Sequence, residues 1–399
     1  MMEYRKTVRA CYLSYISHAV IINLPPLLFA LLSRNYGLDT ERLGRLVLVN
    51  FLTQLIVDGL AAKLADRIGY RVCLVSAHLL AALGLLCFGL APLLLPAQGI
   101  YLGLCVSVVI FAAGGGLIEV LVSPIVNQVS GHLGAGAMTL LHSFYCWGQV
   151  LTVLLSTLVL HWLPERLWYW LPIVWMALPL MTMTGFARAP LAEPKQEDIP
   201  STPLGELLRS GRFWRAIAVM AFAGAAESSM AQWASYFAEQ SVGVSKLTGD
   251  LAGPCIFALL MAVIRMCYGK WEKTFPLETF LLGCGVGCVL CFLAAGLSRH
   301  PYLALAACAL TGVMVSLMWP GTLHRSAQAF PRGGTGLFGM LALGGDFGCS
   351  AGPWLLGAVA HRRGDNIQTG LLTGALFPLG FTILLLIEKY RAKGKEAAL

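Results

Sequence analysis

Apolar runs of about 20 residues recur along nearly the whole of this chain, and they restrict its fold more than any other feature. A helix needs about that length to cross roughly 30 Å of hydrocarbon. The runs do not alternate apolar with polar residues, which excludes the strands of a closed barrel. Inside a bilayer every backbone N–H and C=O needs an internal partner, so helices remain. Composition agrees: 57% of residues are hydrophobic and 12% charged, and the mean hydropathy of +0.73 is far from that of a soluble domain.

Breaks at charged or Pro- and Gly-rich stretches place spans near 10–33, 43–62, 72–96, 101–129, 137–160 and 167–186, then near 214–238, 248–269, 277–297, 302–322, 336–360 and 368–388. The expected fold is an all-α membrane protein of twelve transmembrane helices in two six-helix halves. Between the halves lies APLAEPKQEDIPSTPLGELLRSGR, the longest hydrophilic segment, whose Pro and charge suit a linker with one short amphipathic helix. The expected units are an amino-terminal bundle at 1–187, a cytoplasmic linker at 188–212, and a second bundle at 213–399 that ends in a short basic tail.

Arg5, Lys6 and Arg9 precede a first apolar run that is too long for a signal peptide and lacks a small-residue cleavage site. The amino terminus is therefore expected in the cytoplasm, and an even number of spans returns the carboxyl terminus to the same side. Lys63, Arg67, Arg71, the basic residues from Arg188 to Arg215, Lys270, Lys273, Arg325, Arg332 and those from Lys389 to Lys395 fall there too. That asymmetry orients a multi-pass protein, here expected in the cell (inner) membrane. A weak internal repeat relates the halves: GGGLIEVLVSPIVNQVSG at 114–131 aligns with TGVMVSLMWPGTLHRSAQ at 311–328, matching Gly116 with Gly312 and Pro124 with Pro320. Both stretches are the fourth span of their half, as expected where two bundles rock about a central site.

Several functions are disfavoured. The net charge of +8 comes from residues at span ends and in short loops rather than one patch, so nucleic acid is not an expected partner. The twelve cysteines are scattered through apolar runs and read as packing residues; Cys284, Cys288 and Cys291 share a helical face, but no nearby His or acid completes a metal site. No GxxxxGK[ST] loop is present for ATP-driven transport. No catalytic constellation or large extramembrane domain suggests an enzyme, and no cofactor is expected.

An ionisable side chain at the centre of a span costs about 2.5–3.5 kcal/mol on insertion scales, so each one calls for a partner, a cavity or a function. They are His18, Asp58, Glu119, His142, Glu227, Arg265 and Asp346, with His78 a weaker case. Glu119 stands out: it lies deep in the fourth span beside Gly114, Gly115 and Gly116, which admit a backbone or ligand, with Ser123 and Pro124 one turn on. A desolvated carboxyl there suits uptake and release of a proton. His142 begins a polar stripe with Tyr145, Cys146 and Gln149 that is unsuited to lipid and is expected to line a polar cavity. Glu227 is near the middle of the seventh span, followed by Ser228, Ser229, Gln232 and Trp233. Trp233 lies about 120° around the helix from Glu227, so site and packing both stay open for it. His18 shares a face with Ser14 and Tyr15, and Asn23 precedes Pro25 and Pro26, which must interrupt the first span. Asp58 and Arg265 occupy comparable depths, either as a charge pair closing the cytoplasmic side or as solute contacts. Asp346, near Gly344, Gly345 and Gly348, is a further candidate for neutralising a basic group when the halves close.

The loop after the second span reads AKLADRIGYR, in which Asp66, Arg67, Gly69 and Arg71 resemble the signature of the major facilitator superfamily; Ala62 and Tyr70 replace the usual Gly and a basic residue. The resemblance implies a major facilitator fold of two pseudo-symmetric bundles, and a charge network at this loop that holds the cytoplasmic gate, with Asp66 meeting the amino-terminal end of the eleventh span. Within that superfamily the fourth and fifth spans resemble the fucose permease group of sugar–proton symporters. The likeness puts Glu119 on the group's proton-linked glutamate and puts Thr139 and His142, the latter in place of a glutamine, on positions that contact sugar. The stretch before Pro25 and Pro26 reads AVIIN, without the group's first-span aspartate.

The expected activity is secondary transport: symport of a sugar or similar small polar solute with protons, or with sodium, by alternating access in a lipid bilayer. The expected solute and proton residues are Glu119, His142, Glu227, Thr139, Gln149, Tyr145, His18, Asn23, Gln232 and Trp233. Asp66, Arg67, Arg71, Asp58, Asp346 and Arg265 are the expected gate. One chain encloses the site, so a monomer is expected. A proton-coupled exporter of drug-like or amphiphilic molecules is the alternative, for which Met138, Met230 and Trp319 would supply an apolar wall.

Overall fold

The computed structural model describes residues 4–130, 134–191, 202–271 and 276–396. Twelve helical crossings run through these described residues. The first is Arg5–Leu27 continued by Phe29–Tyr36, the second Thr40–Ile68, the third Tyr70–Leu94, the fourth Ala97–Ser130, the fifth Gly134–Trp162, and the sixth Trp170–Trp175 with Ala177–Arg188. The seventh is Gly211–Phe237, the eighth Lys246–Asp250 through Ile256–Trp271, the ninth Leu277–Leu297, the tenth Pro301–Val315 with Met318–Ala329, the eleventh Gly334–His361, and the twelfth Ile367–Gly374 with Leu376–Glu396. Nine are apolar enough alone to cross a membrane, and the bent first span makes ten. The seventh and eleventh, at 27 and 28 residues, are long enough, but their Gly, Ser and acidic residues lower their hydropathy.

Local chemistry explains the breaks. Pro25 and Pro26 carry no N–H to bond the carbonyls of Ile21 and Ile22, and the chain bends by 43° just beyond them. The second span starts on Asp39, whose carboxylate accepts from the Arg42 N–H at 2.7 Å. A single residue, Gly69 at φ +93°, separates the second span from the third, a backbone state that only glycine adopts without strain. Beside this turn the Arg71 guanidinium donates to the carbonyls of Phe186, Ala187 and Ala189 at 2.7–3.0 Å, capping the carboxyl end of the sixth span. In the linker, residues 202–210 carry a short helix at Leu204–Leu208.

Lipid-facing surface is legible as stripes. Leu52, Ile56, Leu60 and Leu64, four residues apart on the second span, are 41–53% exposed, whereas Leu43 and Leu46 are buried. The internal repeat has a physical basis in close helix approach. A Cβ on Gly116 would meet Asp58 and the Gln54 backbone of the second span, and one on Gly312 would meet the Phe257 backbone of the eighth, the equivalent pair in the other half. Gly148 against Ile16 and Gly348 against Ala221 repeat the arrangement for the fifth span on the first and the eleventh on the seventh. One large apolar core crosses between the halves, with Phe29 and Trp233 packed ring to ring.

Candidate functional site

The seventh and eleventh spans meet the first, second, fourth and fifth around a cavity of about 130 Å³ in the middle of the bundle. Its floor on the amino-terminal half begins with His18, held in the first span two turns before the Pro25–Pro26 break. His18 Nε2 lies 3.1 Å from Gln54 Oε1 and 3.8 Å from Glu119 Oε2. Gln54 in turn donates to Asn50 Oδ1 at 3.0 Å. Glu119 is a third exposed while His18 is nearly sealed, so the carboxylate is the member of this chain that water reaches. One turn on, Ser123 Oγ and Tyr15 OH are 2.8 Å apart. The rings of Tyr15, His142, His18 and Tyr145 pack edge to face or tilted at 5.6–6.2 Å and give the wall a rigid, hydrogen-bonding surface.

The carboxyl-terminal half supplies an ion pair. Arg265 reaches Glu227 Oε2 at 3.1 Å, donates to the Ser316 carbonyl at 2.8 Å, and approaches Cys146 Sγ across the interface at 3.4 Å. The Ser316 carbonyl is free because Pro320, four residues on, has no N–H to offer it, and the tenth span breaks there. A proline of the internal repeat thus prepares a socket for the guanidinium. The pair is partly buried, at 16% and 19% side-chain exposure.

Of the residues expected at the site, the cavity brings together His18, Asn23, Glu119, His142, Tyr145, Gln149, Glu227 and Gln232, and adds Arg265 and Asp346 from the expected gate. Trp233 does not line it. Its ring is wholly buried in the core and its N–H donates to the Pro353 carbonyl at 2.9 Å. Arg265 is committed to Glu227, so the pairing of Arg265 with Asp58 is not realised; Asp58 instead packs behind Gly116. His78 is a packing residue, bonded to Ser14 and the Leu74 carbonyl. Arg71 caps the sixth span, and Arg67 is exposed. The side chains of Thr139, Asp66 and Met138 lie outside the described residues. Ile22, Phe51, Ala231 and Cys349 line the cavity without having been expected there, as does Ser228, which was named only as a neighbour of Glu227. Of these only Ser228, beside Glu227, carried a signal; the others resemble any core residue.

A second cluster, also missed, joins the halves at the face opposite both termini. Arg34 bridges Glu165 at 3.0 Å and Glu239 of the other half. Lys246 Nζ reaches Asp250 at 3.0 Å and the Leu27 carbonyl at 2.6 Å, and Asp250 accepts from Thr157 at 2.8 Å. Thr40 donates through its N–H and hydroxyl to Asp365 Oδ1 at 3.0 and 2.7 Å. Asp365 holds a left-handed backbone at φ +60°, uncommon outside glycine. Burial works against its ionisation, but hydrogen bonds from Thr40 and His361 outweigh that and hold its carboxyl below the usual range. Deeper in, Ser350 Oγ donates to the Leu48 carbonyl at 3.3 Å between the eleventh and second spans.

No curated protein matches the chain in sequence. Among solved structures it resembles a D-xylose–proton symporter (TM-score 0.75, 13% identity, 96% of each chain covered). It also resembles the E. coli fucose:proton symporter (0.65, 16%, covering 96% of this chain and 99% of that one) and the nucleoside transporter NupG (0.77, 12%, 96% and 99%). At these identities the likeness establishes the fold. The profile of the Major Facilitator Superfamily matches residues 11–353, so this twelve-span chain belongs to that superfamily of transporters.

Proposed function

We propose that the chain is a secondary symporter that carries a small polar solute, a sugar or a molecule of similar size and hydroxyl content, together with protons. The observation that carries this reading is one cavity between the halves in which a water-reached carboxylate, Glu119, shares His18 with Gln54, opposite the Arg265–Glu227 pair. Its volume of about 130 Å³ is well below that of a drug-sized pocket and suits a small solute. Hydroxyls find donors and acceptors in Asn23, Gln149, Gln232, His142 and Tyr145. Sodium is a weaker fit than a proton, because a hard cation seeks several oxygens and Glu119 pairs with an imidazole nitrogen. The exporter reading gains little: Met230 is sealed in the core, and Trp319 is the one large ring of its expected wall that reaches the cavity.

Basic residues at the termini and adjoining loops support a cytoplasmic side for the face that carries both termini. The Arg34, Lys246 and Thr40 contacts then form an outer latch. A thermal-shift screen of the purified chain against sugars, nucleosides, amino acids and cationic drugs tests the solute class, because a true ligand stabilises by mass action. Stabilisation by sugars supports the reading, and stabilisation by cationic drugs alone overturns it.

The latch has its own test. Arg34→Ala is expected to raise the labelling rate of a cysteine at Ser350, reached from the outer side, by about two- to thirtyfold, since Arg34 makes two ion pairs and exposed pairs contribute roughly 0.2–1 kcal/mol each. An unchanged rate would remove Arg34 from the latch. The Asp365 contribution has a defined pH sense. Because its folded value is depressed, the contact is fully present above the ordinary carboxylate range and is lost as pH falls through the depressed value.

A further inference from the structure

Asp346 on the eleventh span lines the cavity and is 5% exposed, and its Oδ2 has no hydrogen-bond partner among the described residues. The donors nearest to it along its own helix are spent elsewhere: Cys349 Sγ on the Gly224 carbonyl at 3.5 Å and Ser350 Oγ on the Leu48 carbonyl at 3.3 Å. Arg265 is the one Lys or Arg among the described residues that line the cavity, and its guanidinium is divided among Glu227, the Ser316 carbonyl and Cys146. His18 lies between Gln54 and Glu119. Gly345, immediately before Asp346, has no room for a Cβ because the Trp319 ring lies against it, and Trp319 lines the same cavity. The unpaired acid thus follows directly on the residue that seats an aromatic ring.

Burying a carboxylate without a counter-charge is costly, and with the side chains committed, the occupant of the cavity is the remaining source of one. Three acids line the cavity, Glu119, Glu227 and Asp346, against one guanidinium. An anionic solute would add to that excess, and Arg265 is already matched by Glu227. A neutral hydroxyl can donate to Asp346 but brings no charge. An ammonium brings three N–H donors and a positive charge, and the Trp319 ring offers it a favourable flank. Charge-assisted hydrogen bonds are roughly twice as strong as neutral ones, so the ammonium wins over the hydroxyl. We propose that the transported solute carries an ammonium group, as a protonated amino sugar or amino polyol does, and that Asp346 receives it. The inference rests on the reading of the solute as small and rich in hydroxyls, and it names the class. Glu119, reached by water and paired with His18, keeps the proton, and His142, Tyr145 and Gln149 face the hydroxyls from the other half. The two ends of the solute are thereby read by different halves.

The test is the affinity of the purified full-length protein for ligands that differ at one substituent. D-glucosamine, D-galactosamine and D-mannosamine are each compared with the parent hexose, which has a hydroxyl in place of the amine, and with the N-acetyl derivative, which has lost the charge. Isothermal titration at pH 6 keeps the amines protonated. At least one amino sugar is expected to bind about ten- to a hundredfold more tightly than both of its counterparts, the span of one hydrogen bond to a charged, buried group. Asp346→Asn is expected to erase that preference, the amino sugar falling to the affinity of its parent hexose. Should the variant fold poorly, the wild-type series decides by itself. No binding of any of the three amino sugars, a parent hexose or N-acetyl derivative bound as tightly as its amine, or a preference that survives Asp346→Asn would each overturn the proposal. A hexose bound as tightly as its amino sugar would remove the ammonium and leave the sugar reading standing, whereas binding confined to cationic drugs would remove both.

Discussion

Glu119→Gln is expected to abolish accumulation of solute against its gradient while exchange of solute across the membrane continues. The amide keeps the size and the acceptor that face His18 but cannot take up a proton. One pH unit is worth about 1.4 kcal/mol per proton, or roughly tenfold accumulation of a neutral solute for each proton carried with it. The variant should fall from that level to no accumulation. Counterflow of labelled solute into preloaded vesicles should stay within a few-fold of wild type, because it needs rocking and binding but no net proton movement. Concentrative uptake by the variant would remove Glu119 from coupling.

The second large effect is expected at the ion pair. Arg265→Ala leaves Glu227 without its partner and frees the Ser316 carbonyl again. Removing one member of a buried pair costs roughly 3–5 kcal/mol, and the partial exposure of this one argues for about 3. A clear drop in melting temperature and folded yield should follow. Adding Glu227→Gln removes the stranded charge, so the double variant should recover most of the stability yet still bind solute poorly, since both groups face the cavity. A melting temperature unchanged by Arg265→Ala alone would show that the pair is not a structural element of this state.

How much of this was legible beforehand follows from what one-dimensional pattern can carry. Length and hydropathy mark the spans, and an ionisable residue inside an apolar run stands out against its neighbours. His18, Glu119, His142, Glu227, Arg265 and Asp346 were marked on that ground and meet at the cavity, whereas Asp58, marked on the same ground, does not line it. Pairing was not legible. Arg265 and Glu227 sit on the eighth and seventh spans, and nothing in the spacing of either helix favours that partner over Asp58; the choice is made by a carbonyl that Pro320 frees on a third helix. Trp233 shows the converse problem, since a tryptophan beside polar residues reads the same whether it faces a solute or, as here, Phe29 and the Pro353 carbonyl. The outer latch escaped notice because Arg34, Glu239 and Lys246 occupy span ends, where charge is ordinary and draws no attention. The gate sought at Asp66 falls on a side chain outside the described residues.

The central claim is that solute and proton cross together through the cavity beside Glu119. Its most direct test is the pH change in a weakly buffered, unenergised suspension of right-side-out vesicles when the sugar that most stabilises the purified protein is added outside. Symport predicts a transient rise in external pH that is absent from vesicles carrying Glu119→Gln and collapsed by a protonophore. Acidification of the medium, or solute entry with no pH change, would contradict the account.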